Sequence, residues 1–437
     1  MSDDARSTEQ LPSSAPVHAT VRACRLVVVE GDRERASHAL RGERTVIGAH
    51  PSADLVIDEP ALSSFHCELR IVDGQPSIRD LGSKNGTYVD HVRVVEAPLR
   101  HDALLTLGRT QLRFRIGADH IQIPLSTRTR FGRLVGVSVP MRATFALLER
   151  AAATDATVLL LGETGTGKDL AAESIHLESA RRDGPFVVVD CGAISPALIE
   201  SELFGHERGA FTGATSTRIG ALEAASGGTV FLDEIGELSL DLQPKLLRAI
   251  ERREIQRLGS TQRIPIDVRF IAATNRPLRE EVNARRFRAD LYYRLAVIVA
   301  TLPPLRDRPL DVPLLVDAIL DDLGVRALPA GEALRRPEVL AEILRHAWPG
   351  NVRELRNYLE TCLVTDERVV AAPSTELPAI DVTQPLRAVR DRFIRYVERR
   401  YLEQLLAAHG NNVSAAARAA GIDRVHFHRL LRSAGLR

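Results

Sequence analysis

The chain has only four cysteines in 437 residues, Cys24, Cys67, Cys191 and Cys362, scattered without any C-x-x-C spacing. That excludes a disulfide framework and a cysteine-built zinc site, and it fits a reducing compartment. No apolar run approaches the roughly 20 residues needed to cross a bilayer, and the polar N-terminus has no signal-peptide core. A cytoplasmic protein without a membrane partner is expected. Net charge is also nearly absent, +1 at pH 7, which argues against wholesale coating of nucleic acid. The balance is local: residues 386–437 hold eleven arginines against four acidic side chains, a net +7. Residues 1–22 lack hydrophobic periodicity and are rich in Ser, Pro, Ala and acidic residues, so they read as a disordered lead-in.

What remains is enough chain for two or three domains with real cores. From 133 to 366 apolar β-runs alternate with helical stretches, which predicts a parallel sheet with helices on its faces. The run 157–161 ends in Gly162-Glu163-Thr164-Gly165-Thr166-Gly167-Lys168-Asp169, a G-x-x-x-x-G-K loop between strand and helix. Such a loop aims backbone N–H groups and a helix N-terminus at one spot where a triphosphate can sit, with Lys168 reaching the β/γ-phosphates. Asp169 stands where the general motif has Ser or Thr to hold magnesium. The run 229–232 ends in Asp233-Glu234, where Asp233 suits Mg2+ and Glu234 suits polarisation of the attacking water. Between these strands lies Gly209-Ala210-Phe211-Thr212-Gly213-Ala214, small residues around one large aromatic with no role in phosphate chemistry. An exposed Phe set between glycines is suited to touching a partner.

With that string the segment resembles the AAA+ domain of sigma-54-dependent bacterial enhancer-binding proteins, in which G-A-F-T-G-A engages sigma-54. The family also carries an acidic residue after the P-loop lysine, as Asp169 does. The resemblance implies an ATPase and transcriptional activator using ATP and Mg2+, with Asn275 of residues 271–275 as the sensor near the γ-phosphate. It further implies Arg353 of residues 348–357 as the second sensor, and Arg288 and Arg294 of residues 287–295 as arginine fingers reaching a neighbouring subunit of a homo-oligomeric ring. Always-charged, planar guanidinium groups suit that role. Asp190 stands where the family has an Asn that restrains the catalytic Glu. An Asp accepts but does not donate that amide bond, which puts the switch in doubt.

Ahead of this domain, short β-rich runs at 26–29, 45–47, 55–57, 68–72, 87–89 and 111–114, separated by turn signals, predict an all-β sandwich over 23–117. Ile47-Gly48, Asp54-Leu55, residues 63–66 and residues 80–87 follow in the order of a forkhead-associated (FHA) domain, which the segment resembles. That family grips a phosphothreonine protein with a loop Arg, a Ser and an Asn. Ser63 and Asn85 match, but the Arg is Ala49, and the Arg of the usual Ser-Arg-x-His is Ser64. The fold is therefore expected more strongly than the ligand; His50, Arg79 or Lys84 are the cations that would compensate. Residues 118–132 and 367–385 read as linkers.

Residues 386–437 predict an all-α unit: a helix from 401, a second over 412–420, a glycine turn at 421–423 and a third from 424 to about 433. Two helices around a tight turn, the last one basic, form a helix-turn-helix, and the segment resembles the Fis-type DNA-binding domain. Arg424, His426, His428, Arg429 and Arg432 are the expected contacts to double-stranded DNA. An alternative reading is a DNA-binding regulator whose AAA+ domain only oligomerises with nucleotide; the complete G-A-F-T-G-A string and both finger arginines argue against it.

Overall fold

The computed structural model describes residues 18–30, 33–40, 44–72, 75–192 and 196–365, and in the C-terminal segment residues 401, 402, 405, 406, 413, 417, 419, 420, 427 and 431. The chain divides into two compact units between residues 367 and 368.

The first unit opens with a two-sheet β-sandwich. One sheet runs in the order Arg33–Ala39, His18–Glu30, Thr110–Pro124, Leu104–Leu107, Thr87–Val89, Val92–Val94. The other runs Leu55–Val56, Arg44–Gly48, Cys67–Val72, Gln75–Asp80, Glu96–Pro98. Alternate residues of the strands, among them Leu26, Ile47, Cys67, Ile78, Leu105, Leu112 and Phe114, fill the space between the sheets. The sandwich is longer at both ends than the 23–117 expected. His18 pairs with Pro124, and the ladder continues through Thr20–Gln122 before the irregularity between Arg22 and Cys24. Residues 18–22 and 120–124 are thus paired strand rather than lead-in and linker. Each segment alone is short of turn and burial signals, and pairing with the other satisfies its backbone.

A five-stranded parallel sheet follows, in the order Phe186–Asp190, Thr229–Asp233, Arg269–Thr274, Val158–Leu161, Ile298–Thr301. Its central strands are apolar over 158–161, 230–232 and 270–273 because both faces are covered. Leu159, Leu232 and Ala272 face one core; Leu160, Phe231 and Ile271 face the other. Phe131, in the stretch expected as linker, is instead buried in the second core. Four helices, Val312–Asp322, Pro329–Leu334, Pro337–Arg345 and Asn351–Thr365, close around Trp348 as a lid with its own core. None of the helices among the described residues is long and apolar enough to cross a membrane.

In the second unit Leu402, Val413, Ala417, Phe427 and Leu431 form one buried cluster. The spacings 413/417 and 427/431 put each pair on one helix face. The expected linker 367–385 lies outside the described residues.

Candidate functional site

The strand Val158–Leu161 delivers the chain to the P-loop at its C-terminal end, and Gly165 and Gly167 take positive φ of 79° and 102° there. A side chain at Gly165 would stand 2.2 Å from the Gly350 carbonyl, so the loop admits no Cβ where the lid approaches. Gly167 then caps the helix Lys168–Leu177. Lys168 is buried, its ammonium donating to the carbonyls of Gly162 at 3.0 Å and Glu163 at 3.3 Å. Thr166 is buried with its hydroxyl on the Glu163 carbonyl. Asp169 is exposed on the first helical turn, where a carboxylate opposes the positive end of the helix dipole.

Next to this loop, Asp190 and Asp233 are cross-strand partners at the ends of adjacent parallel strands. Burial pushes the Asp233 carboxyl above its ordinary range, and the neighbouring charges of Glu234 and Asp190 add to this while Lys168 opposes it. Glu234 has a left-handed backbone, φ 45°. That turn brings its carboxylate to the neighbouring strand, where it accepts from Thr274 Oγ1 at 3.4 Å and the Asn275 N–H at 3.3 Å. The Asn275 side-chain amide donates to Thr164 Oγ1 at 3.1 Å. Asp190 accepts instead from the Gly192 N–H at 2.8 Å.

The lid closes on the same loop. Asn351 is fully buried, donates to the Thr164 carbonyl at 3.0 Å and Glu163 Oε2 at 3.2 Å, and accepts from the Leu305 N–H. The Gly165 carbonyl accepts from the Val352 N–H at 3.0 Å, which seats Arg353 against the P-loop. Arg306 grips Glu163 through both guanidinium ends, 2.8 and 2.6 Å. Sequence reasoning missed Arg306, and took Thr274 and Asn351 only as members of strings; Arg306 and Asn351 lie 143 and 188 residues from Glu163, too far for a local signal.

Arg288 caps the start of the short helix Ala289–Leu295, Arg294 stands in its last turn, and both are exposed. Each is paired within its own chain: Arg288 with Asp290 at 2.6 Å, Arg294 with Glu251 at 2.8 Å. Buried Gln243 accepts from the Arg288 N–H at 2.8 Å and fixes where the helix begins.

The loop 209–214 closes on itself: the Gly209 N–H reaches the Ala214 carbonyl, and the Ala214 N–H reaches the Phe211 carbonyl. Gly209 and Gly213 have φ of 82° and 105°, with open space where a side chain would be, so backbone shape alone requires glycine at these positions. Phe211 remains 41% exposed, its ring edge-on to His206 with centroids 5.0 Å apart. His206 is itself held by the Ser201 hydroxyl at 2.7 Å. Below the loop, Arg257 joins Glu207 and Glu223 at 2.8 and 2.7 Å.

In the sandwich, the Ser63 hydroxyl accepts from the Lys84 N–H at 2.9 Å, and the Asn85 amide donates to the Ala61 carbonyl at 2.7 Å. These two residues therefore lie on adjoining loops. Of the expected compensating cations, His50 contacts Tyr293 and Arg79 contacts Glu280 at 2.9 Å, both partners belonging to the domain of the parallel sheet. Lys84 is exposed. Arg424, His426, His428, Arg429 and Arg432 lie outside the described residues; buried Phe427 and Leu431 lie between them in sequence.

Family comparison matches a sigma-54 interaction domain over residues 134–301, an FHA domain over 45–108, an AAA+ ATPase lid domain over 306–380 and a bacterial regulatory protein, Fis family, segment over 393–432. The C4-dicarboxylate transport transcriptional regulatory protein DctD of Pseudomonas aeruginosa is 43% identical over 357 residues, 78% of this chain and 74% of that protein. The transcriptional regulatory protein ZraR of Salmonella typhi is 44% identical over 69% of each chain. A crystal structure of NtrX from Brucella abortus in complex with ATP aligns over 69% of each chain with a TM-score of 0.51 and 34% identity.

Proposed function

The chain belongs to the sigma-54-dependent transcriptional regulators with an AAA+ domain, and from that membership we propose how its residues divide the work. It is an ATPase and a transcriptional activator that binds DNA through a Fis-type helix-turn-helix segment. The observation that carries the assignment of residues is the meeting of Lys168, Asp233, Glu234 and Asn275 at one edge of the parallel sheet, bridged by the Asn275–Thr164 bond.

In this reading residues 162–169 cradle the triphosphate, and Lys168 leaves its two carbonyl partners for phosphate oxygens of higher charge. The half-buried Asp233 carboxylate, at a strand end beside Asp190, fits a cation, so Asp233 would hold Mg2+, which supplies charge neutralisation at the phosphates when bound. Glu234, aimed by Thr274 and Asn275, takes a proton from the attacking water. Because its hydrogen bonds run to residues 274 and 275, the restraint that the family assigns to an Asn at position 190 passes here to that strand. Asn275 and Arg353 report the γ-phosphate to the sheet and the lid.

Arg288 and Arg294 serve a neighbouring protomer. They exchange Asp290 and Glu251 for phosphate only when a homo-oligomeric ring forms, so hydrolysis depends on assembly. Phe211 and Thr212, at the tip of the loop 209–214, contact sigma-54 RNA polymerase. Arg424, His426, His428 and Arg429 read double-stranded DNA, and Arg432 contacts its backbone. The FHA domain supplies regulation, with Ser63 and Asn85 left to meet a phosphothreonine protein weakly without the family's arginine. Partners of this kind put the protein in the cytoplasm.

Transcription with purified sigma-54 holoenzyme on promoters carrying the bound DNA site tests the whole reading. ATP-dependent open complexes are expected with sigma-54 holoenzyme only. Activation of holoenzyme carrying another sigma factor, or none with sigma-54, overturns it.

A further inference from the structure

The loops of the FHA sandwich that carry its ligand landmarks are in contact with the ATPase domain. Asn283 inserts its side chain among them: its amide donates to the carbonyls of Phe65 at 2.6 Å and Leu81 at 2.8 Å, and its Oδ1 accepts from the Phe65 N–H at 3.4 Å. Phe65 follows Ser63 and Ser64, and Leu81 opens the loop that carries Asn85. His50, next to Ala49, hydrogen-bonds with Tyr293, their rings 4.5 Å apart. Arg79 pairs with Glu280 at 2.9 Å.

The centre of the contact is built on a buried aromatic ring. Phe65 is fully buried, edge-on to Tyr292 at 5.2 Å, and belongs with Val46 and Leu81 to the same core as Leu291 and Leu295. Arg279 lies 5.8 Å from the ring centres of both Phe65 and Tyr292, with Nη1 3.6 Å from the buried Glu68 carboxylate of the sandwich. A directional, desolvated set of this kind holds one orientation rather than a loose tether.

What it holds is the segment 278–295, which ends in the helix bearing Tyr292 and Tyr293 between Arg288 and Arg294. A seven-residue helix moves as one lever, so pinning its tyrosines sets both guanidinium groups, here paired with Asp290 and Glu251 of their own chain. We propose that the loop face of the FHA domain is a docking surface for this chain's own arginine-finger segment, and that the docked sandwich keeps both fingers in their internal pairs and away from a neighbouring protomer. This rests on the proposed role of Arg288 and Arg294. It also means that His50 and Arg79 are already engaged while the domain is docked.

The test uses the full chain with one variant on each side of the contact: His50→Ala, in a domain with no part in ATP chemistry, and Asn283→Ala. Amide hydrogen exchange of residues 63–66 and 278–295 reports docking; ATPase rate against protein concentration reports finger availability. Both variants are expected to raise exchange in both segments and to lower, several-fold, the concentration giving half-maximal ATPase rate. Unchanged exchange overturns the docking; faster exchange with an unchanged or higher half-maximal concentration overturns the restraint. Adding Arg288→Ala to each variant separates the two readings, because loss of turnover there supports the finger while retained turnover sinks that assignment and leaves the exchange result standing on its own.

Discussion

The Glu234 carboxylate accepts a hydrogen bond from the Asn275 backbone N–H across 3.3 Å, and the same Asn275 reaches Thr164 in the P-loop with its side chain. One residue thus connects the group suited to water activation with the loop suited to phosphate. Glu234→Gln keeps this hydrogen bond but loses the basic oxygen. Turnover should fall by about 100-fold or more with ATP affinity retained, since general-base removal is worth that much. Lys168→Ala should lose affinity as well as turnover. Equilibrium binding of a fluorescent ATP analogue beside steady-state hydrolysis separates the two; near-parental hydrolysis by Glu234→Gln rules out its assigned role.

Phe211 and Thr212 sit on a loop whose internal bonds are all backbone, with Phe211 resting on His206. Phe211→Ala and Thr212→Ala should therefore leave the loop closed and ATPase activity largely intact, while open-complex formation on a sigma-54 promoter is lost. Permanganate footprinting of the promoter reads this directly. A variant that opens promoters at the parental rate would remove the loop from the contact.

Ala49 leaves the FHA loops without the charge-assisted bonds that an arginine gives a phosphate, worth roughly 1.5–3 kcal/mol. Ala49→Arg should tighten binding of a phosphothreonine peptide library by about one to two orders of magnitude at 1.4 kcal/mol per tenfold. Calorimetry against unphosphorylated peptides checks it. Tight phosphate-dependent binding by the unaltered chain would mean that another cation, with Lys84 the exposed one, does the arginine's work.

Glu68 has no exposed side-chain surface and lies among Arg44, Arg70 and Arg279. Burial alone would raise its carboxyl, but the charges of Arg44 and Arg70 and their hydrogen bonds outweigh it, and the group is held below its ordinary range. A carboxylate depressed on folding contributes stability above its unfolded value, about pH 4.3, and loses it as pH falls through the folded value. Glu68→Gln leaves three half-buried guanidinium groups without their shared carboxylate, so the loss at neutral pH should be about 3 kcal/mol, the lower end of the range for breaking a buried pair. The variant's stability should also fall less steeply than the parent's below about pH 4.3. Denaturant midpoints across the acid range test this, and parallel pH curves for parent and variant would refute it.

The groups assigned to the proposed ATP site were legible in the chain because they lie in short contiguous strings at strand ends. Residues 162–169 and Asp233-Glu234 need only a strand, a turn and a helix to point at phosphate, and each string specifies its own turn. The loop 209–214 is likewise self-contained, its glycines closing it without outside help. The sandwich was legible from its β-runs, but its length was not, because the pairing of residues 18–22 with 120–124 joins segments about a hundred residues apart.

What the string could not say is which groups are already taken. His50 and Arg79 read as free cations for a ligand until the fold brings Tyr293 and Glu280 against them, across 243 and 201 residues. Asn283 carried no signal at all, yet three hydrogen bonds across the sandwich loops run through it. Sequence alone therefore determined which chemical groups the protein owns and the local turns that display them. Tertiary structure decided their partners, because a hydrogen bond or ion pair between distant residues depends on how whole sheets and domains pack, and no local periodicity encodes that packing.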